Sequence, residues 1–227
     1  LIPVHEGGDL EILRTEDLPY KYIGSLGIGS NGCVEMVEDV ITGRVFAQKI
    51  FRRYRGPNPA KFKQGVRNEI NILRRLSPHH HIIRLFATYS CGRDFGMILT
   101  PVADCGDLGS YLQAILDSRN QLSTEQQVIL TRAFGCLTSG LAFIHKQTIR
   151  HKDIKPHNIL IHQGYIIYTD FGIALDASQS DITTTTGTAE AFTRRYCAPE
   201  IAKKHSRNRK SDVFSLGCVF IEILAVL

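Results

Sequence analysis

Hydrophobic and polar positions change their pattern at two places along the chain. Between Tyr20 and Thr100 the texture is strand-like: β-branched and aromatic residues are punctuated by glycine turns, as at Thr42 and Gly43 between Val34–Ile41 and Arg44–Ile50. One helix interrupts it, because Phe62, Val66, Ile70, Leu73 and Leu76 recur at spacings of three and four and so share a face. Beyond Pro101 the pattern turns helical, through Leu108–Leu116 and through Thr124–His145, where Val128, Leu130, Leu137, Leu141 and Ile144 recur among polar residues. Short strands are expected around Asn158 and Asp170. The last stretch, Val213–Leu227, is apolar nearly all round, interrupted by Ser215 and Glu222, and reads as a core helix too short to span a bilayer comfortably. No internal repeat appears, and the four threonines 183–186 are the only low-complexity tract. The pattern predicts an α+β chain: a small β-rich lobe joined by a hinge near Thr100–Val102 to a larger helical lobe.

Composition narrows the class without reaching function. With 227 residues, 43% hydrophobic and 22% charged, the chain can hold a large core as one domain or two lobes. The net charge of +5 is spread out and not interleaved with aromatics, which argues against nucleic-acid binding. Six cysteines, Cys33, Cys91, Cys105, Cys136, Cys197 and Cys218, lie far apart with no C-x-x-C pair. Reduced thiols and an intracellular location are therefore expected, with no zinc site. No signal peptide or membrane span is expected. The chain starts at Leu1 and stops at Leu227 inside an apolar segment, so it reads as a fragment. His79, His80 and His81 are expected in a solvated turn, and Lys203, Lys204, Arg207, Arg209 and Lys210 in a solvated loop.

Candidate chemistry starts at Gly27-Ile28-Gly29-Ser30-Asn31-Gly32-Cys33-Val34. A lone G-x-G-x-x-G marks dinucleotide folds and plain turns as well, but a dinucleotide site needs a helix straight afterwards, and here strand texture follows. A glycine hairpin can lay backbone N–H groups over phosphates where side chains would collide. Lys49 follows in strand texture and Glu69 on the amphipathic helix. A lysine in a β-rich core needs a partner for its ammonium, and that glutamate can supply it.

The decisive stretch is His151-Lys152-Asp153-Ile154-Lys155-Pro156-His157-Asn158, followed by Asp170-Phe171-Gly172 and Ala198-Pro199-Glu200. From about Tyr22 to Leu227 the chain resembles the eukaryotic protein kinase catalytic domain of serine/threonine type, with each motif in the family's order. The resemblance implies a two-lobed kinase-like fold with an incomplete C-terminal lobe: a flank at residues 1–19, an N-lobe at 20–99, a hinge at 100–103 and a partial C-lobe at 104–227. It implies transfer of the γ-phosphoryl group of ATP to protein serine or threonine hydroxyls, with Mg2+. Asp153 would act on the acceptor hydroxyl, and Asn158 and Asp170 would hold the metal. Lys49 would grip phosphates with Glu69 fixing it, Lys155 would neutralise the transferred group, and Thr193 would bridge Asp153 and Lys155. Leu26, Gly27, Gly29, Gly32, Val34 and Ala47 would line the nucleotide site from above and Leu160 from below. Leu99 would be its gatekeeper, with Thr100 and Val102 offering hinge backbone groups. Asp107 is a candidate for ribose or a basic substrate residue, or equally a helix cap. Leu73, Leu85, His151 and Phe171 resemble the stack of an active kinase, anchored by Asp212.

Departures from the family pattern are informative. Lys152 replaces the usual arginine and loses its bidentate grip on a loop phosphate. Ala189 stands where many relatives carry the phosphorylated residue, with Glu190 beside it, although Thr183–Thr186 and Thr188 are nearby. Phe192 replaces a glycine, and Phe214 a tryptophan. Glu200 is expected to lack its arginine partner. A scaffold that binds nucleotide or partners without transfer is the alternative; intact Lys49, Glu69, Asp153, Asn158 and Asp170 favour the enzyme.

Overall fold

The computed structural model describes residues 1–29, 32–51, 59–92, 94–177, 194–202 and 208–227. The chain divides into two compact units, one of Leu1–Ser77 with Ile83–Val102 and the other of Pro78–Ile82 with Ala103–Leu227.

The first unit is a six-stranded sheet and a helix. Its strands are β1 (Gly8–Ile12), β2 (Tyr20–Gly29), β3 (Gly32–Asp39), β4 (Val45–Phe51), β5 (Arg84–Cys91) and β6 (Asp94–Thr100), in the spatial order β1-β5-β6-β4-β3-β2. β1 runs parallel to β5, and the other pairs are antiparallel. The predicted turn at Thr42 and Gly43 forms between β3 and β4. The Asp39 carboxylate accepts the Ile41 N–H (2.9 Å) and the Thr42 hydroxyl (2.7 Å), and Gly43 takes the left-handed φ of +70° that glycine allows without strain.

One face of the sheet is apolar. Val37, Phe46, Phe86, Ala87, Tyr89 and Ile98 cluster on it with Val4, Ile12 and Leu18. The segment before Tyr20, which offers no motif, thus supplies both a strand and part of the core. The Arg44 guanidinium lies 4.9 Å from the Phe46 ring centroid and 5.0 Å from that of Phe86. Gly96 lets Tyr89 lie flat, since a Cβ there would collide with the tyrosine ring, and the Tyr89 hydroxyl accepts from Gln48 Nε2 at 2.7 Å. Helix α1 (Pro59–Leu76) buries Val66, Glu69, Ile72, Leu73 and Leu76. The predicted stripe is shifted by part of a turn: Ile72 is buried, Phe62 and Ile70 are only half-buried, and Glu69 falls within the buried face.

The second unit holds α2 (Leu108–Ser118), α3 (Thr124–Lys146), the hairpin β8 (Ile159–His162) and β9 (Tyr165–Tyr168), and α5 (Lys210–Val226). Two-residue strands β7 (Ile149–Arg150) and β10 (Leu175–Asp176) pair antiparallel, and a short helix α4 spans Pro199–Ala202. α3 starts in a capping box between Ser123 and Gln126. By length and composition α3 could cross a membrane, but its buried stripe packs on β9. There Gly140 admits the Tyr168 ring, 2.9 Å from where a Cβ would lie, and the Tyr168 hydroxyl donates to the Leu137 carbonyl at 3.0 Å.

Three expectations need correction. Val128 is exposed; α3 buries Ile129, Leu130, Ala133, Leu137, Leu141 and Ile144 instead. α5 is covered on one side only among the described residues, with Val213, Phe214, Ile221 and Leu224 exposed. The histidine turn is only partly solvated: His81 is buried with Nδ1 2.9 Å from the Ile166 carbonyl, and His79 stacks on Phe143 at 4.7 Å.

Candidate active site

The first unit positions its chemistry through strand register. Side chains alternate across a pleated sheet, so Ala47 and Lys49 share the face opposite Phe46 and Gln48. Gly27 pairs with Val34, Val34 with Lys49, and Lys49 with Met97, while Met36 pairs with Ala47 and Ala47 with Leu99. Val34, Ala47, Lys49 and Leu99 therefore fall together on one face. Lys49 Nζ meets Glu69 Oε1 at 2.6 Å, with side chains 15% and 4% exposed. Burial makes this pair far less screened than a surface ion pair.

The glycine hairpin ends in the pairing of Gly29 with Gly32. A Cβ on Gly32 would collide with the Ile50 carbonyl oxygen, so that glycine is demanded by the adjoining strand. A Cβ on Gly27 would meet nothing within 4 Å, so packing leaves the backbone there open to approach. Leu26 is exposed at the bulge between Ser25 and Gly27, while Thr100 and Val102 are half-buried at the end of the unit. Ser30 and Asn31 lie outside the described residues.

The second unit positions its chemistry through buried side-chain bonds. Asp212, in the first turn of α5, accepts the N–H groups of His151 (3.0 Å) and Lys152 (2.9 Å), and its Oδ2 lies 2.9 Å from His145 Nε2. This holds Lys152 at φ +69°, a conformation costly for a non-glycine residue. His151 is fully buried between the Phe171 and Tyr168 rings, at 4.6 and 5.9 Å. Its Nε2 faces the Thr169 carbonyl at 3.1 Å and its Nδ1 faces the Asp153 N–H at 3.4 Å, which places the proton of a neutral ring on Nε2. Burial pushes its pKa down, outweighing the nearby carboxylates of Asp212, Asp170 and Asp153.

The loop so held brings together Asp153, Lys155 and Asn158. Lys155 Nζ donates to Asp153 Oδ2 at 2.7 Å, and Asn158 Nδ2 donates to the Asp153 carbonyl and to Oδ2, each at 2.9 Å. With both amide hydrogens committed, the Asn158 side-chain oxygen remains as an acceptor. The Asn158 carbonyl accepts from the Thr169 N–H at 3.0 Å, which fixes the chain just before Asp170, itself at φ +59°. Leu160 follows on β8, bridged to Asp107.

Asp107 is the N-cap of α2: its carboxylate accepts the Ser110 N–H (2.9 Å) and hydroxyl (2.7 Å), as the capping alternative requires. Glu200 accepts from the Ser211 hydroxyl at 3.0 Å. Leu73 and Leu85 are buried in the first unit, and His151 and Phe171 touch in the second. Thr193 lies outside the described residues, as do Thr183–Thr186, Thr188, Ala189, Glu190, Phe192, Lys203, Lys204 and Arg207. Sequence reasoning missed His145 and its contact with Asp212; the only signal was a histidine near the end of a predicted helix.

A lysine paired with an acid on a sheet face beside a glycine hairpin, and an aspartate gathered with a lysine and an asparagine on a strained loop, are each arrangements suited to handling phosphate groups. The sequence matches the family model of the protein kinase domain over residues 20–226, and the chain belongs to that family. It is 32% identical over 210 residues to the serine/threonine-protein kinase PrkC of Bacillus subtilis, covering 90% of this chain and 30% of the relative. It is likewise 32% identical over 213 residues to developmentally-regulated protein kinase 1 of Dictyostelium discoideum, covering 93% and 28%. To the human cAMP-dependent protein kinase catalytic subunit PRKX it is 31% identical over 209 residues, covering 91% and 53%. The chain thus spans about a third or less of the first two relatives.

Proposed function

We propose that the protein transfers the γ-phosphoryl group of ATP to serine or threonine hydroxyls of protein substrates, inside the cell. The observation that carries this is the Asp153, Lys155 and Asn158 cluster on a loop held by Asp212. Asp153 orients the acceptor hydroxyl and takes its proton as the new oxygen–phosphorus bond forms and the bond to the leaving diphosphate oxygen breaks. Lys155 lies on the same carboxylate and neutralises charge on the transferred group. Lys49, fixed by Glu69, holds the non-transferred phosphates, while Val34, Ala47 and Leu99 offer an apolar face to the purine.

Asn158 and Asp170 fit Mg2+, since an amide oxygen left free of its own donors and a carboxylate are hard oxygen ligands, and Mg2+ takes few protein groups. When bound, the ion supplies charge stabilisation at the phosphate oxygens. The serine/threonine preference rests on Lys155 and on the relatives' names. The intracellular reading is supported by the six cysteines, all thiols.

The test is transfer of radiolabel from ATP to a peptide library with Mg2+, using the full-length protein. Label on serine or threonine peptides that disappears in Asp153→Asn supports the reading. Nucleotide binding without transfer would instead identify a scaffold.

A further inference from the structure

We propose that β1 is a clamp on the helix that carries Glu69, with Asp9 as its positioning residue. The proposal rests on reading Lys49 and Glu69 as the phosphate-gripping pair. β1 pairs in parallel with β5 from Gly8 opposite Ala87 to Ile12 opposite Cys91, and the Gly7 N–H adds a bond to the Phe86 carbonyl at 2.7 Å. Val4, Ile12 and Leu18 anchor the segment in the apolar face of the sheet. Its energetic hold is therefore hydrophobic and through the ladder.

What the segment does with that hold is seen in its acids. Asp9 Oδ1 accepts from the Thr88 hydroxyl on β5, and Asp9 Oδ2 meets Arg74 in the last turn of α1 at 3.2 Å. Glu6 pairs with Arg84, the first residue of β5, at 3.5 Å. One short segment thus grips both sides of the connection from α1 to β5. α1 packs chiefly on β5 within this unit, and Arg74 lies five residues beyond Glu69, about 7.5 Å along the helix axis. A shift of the last turn is carried to Glu69 by a rigid helix, and through it to Lys49, 2.6 Å away.

The Asp9–Arg74 side chains are 70% and 43% exposed, so their pairing adds little stability and serves to set position. The Thr88 hydroxyl chiefly, and Arg74 to a lesser degree, lower the Asp9 pKa from its ordinary value against the opposing effect of burial. The acid stays ionised, and the clamp engaged, at neutral pH.

The test uses the full chain and three variants, Asp9→Lys, Arg74→Glu and the double swap, with two readouts taken well below melting. Hydrogen exchange of the Val66–Leu76 amides reads the helix directly, and kcat/KM for ATP reads its consequence. Each single variant is expected to speed exchange and to lower kcat/KM by about fivefold or more, and the swap to restore both to within about twofold. A role confined to stability would lower Tm, speed exchange throughout the unit and not selectively in Val66–Leu76, and leave kcat/KM unchanged. Singles within about twofold of the unmodified chain on exchange, or a swap that restores nothing, overturn the proposal. Should the chain show no turnover at all, the phosphotransferase reading has failed while the exchange arm still decides the clamp. If Asp9→Lys does not fold, Asp9→Asn takes its place, with the same directions at smaller size, and unchanged exchange in it overturns the proposal.

Discussion

The two units fix their chemical groups by different means. In the first, Lys49 is placed by ladder register: once β3, β4 and β6 pair as they do, alternation alone puts Val34, Ala47, Lys49 and Leu99 on one face. In the second, Asp153 sits on an irregular loop whose backbone is held by one buried carboxylate, Asp212, reaching from 60 and 61 residues away. A ladder spreads its hold over many backbone bonds and tolerates the loss of any one side chain. The loop relies on a few side chains, Asp212 foremost, with Asn158 and His151. Position by register is redundant; position by a few buried side chains is much less so.

Perturbations of the second unit should therefore cost more than matched ones in the first. The largest effect is expected for Asp153→Asn, which should lower transfer by about a thousandfold while nucleotide affinity changes little, since the carboxylate acts on the acceptor. Turnover within tenfold of the unmodified protein removes Asp153 from that role. Asp212→Ala should come next. It leaves the His151 and Lys152 N–H groups and His145 without their acceptor, at about 1–3 kcal/mol for a buried unmet group. A stability loss of about 3 kcal/mol by denaturant titration, together with a large fall in kcat, is expected. A variant that loses stability and keeps kcat would show that the other side chains suffice to hold the loop.

In the first unit, Glu69→Gln preserves shape and removes charge, and should lower kcat/KM for ATP by about tenfold, or about 1.4 kcal/mol. Tm should fall as well, since the buried ammonium loses the Glu69 charge; loss of the cooperative unfolding transition would mean that the ion pair, and not the register, holds Lys49. Gln48→Leu, on the opposite face, leaves the Tyr89 hydroxyl without its donor and should cost about 1 kcal/mol of stability with kinetics unchanged. A kinetic effect there would show that the two faces are coupled.

The smallest effect is a pH slope confined to the second unit. His79, His81 and His151 all have pKa values lowered, chiefly by burial, so the unfolded chain binds more protons near and below the ordinary histidine pKa. Their contribution to stability is complete above pH about 6.5 and is lost as pH falls below it. Tm should decline between pH 7 and 5, less steeply in His81→Asn. A flat profile would show that these rings titrate as they do unfolded.

Local pattern and motif decided much of this molecule. The turn at Gly43, the helix of Glu69 and the helices from Leu108 and Thr124 follow from periodicity and residue chemistry, because each is specified by neighbours within a few positions; the Asp153 loop was legible through its resemblance to the kinase motif. Lys49 and Glu69 were legible as a pair, since an ammonium in a strand requires an acid nearby. The helix stripe was misread by part of a turn because Glu69 belongs to the buried face, and a period count of apolar residues alone cannot include a buried acid.

Only tertiary structure decided the rest. Residues Asp9-Leu10-Glu11-Ile12 carry no motif, and become a strand because β5 presents an unpaired edge and the sheet an uncovered apolar face. Asp212 becomes the support of the Asp153 loop because folding brings the first turn of α5 to the backbone of His151 and Lys152. In both cases the bond joins positions 60 or more residues apart, and nothing in the local sequence of either partner names the other. Sequence sets what each short segment can form; the pairing of distant segments is settled by which of them can satisfy each other's unmet backbone groups and bury each other's apolar surface.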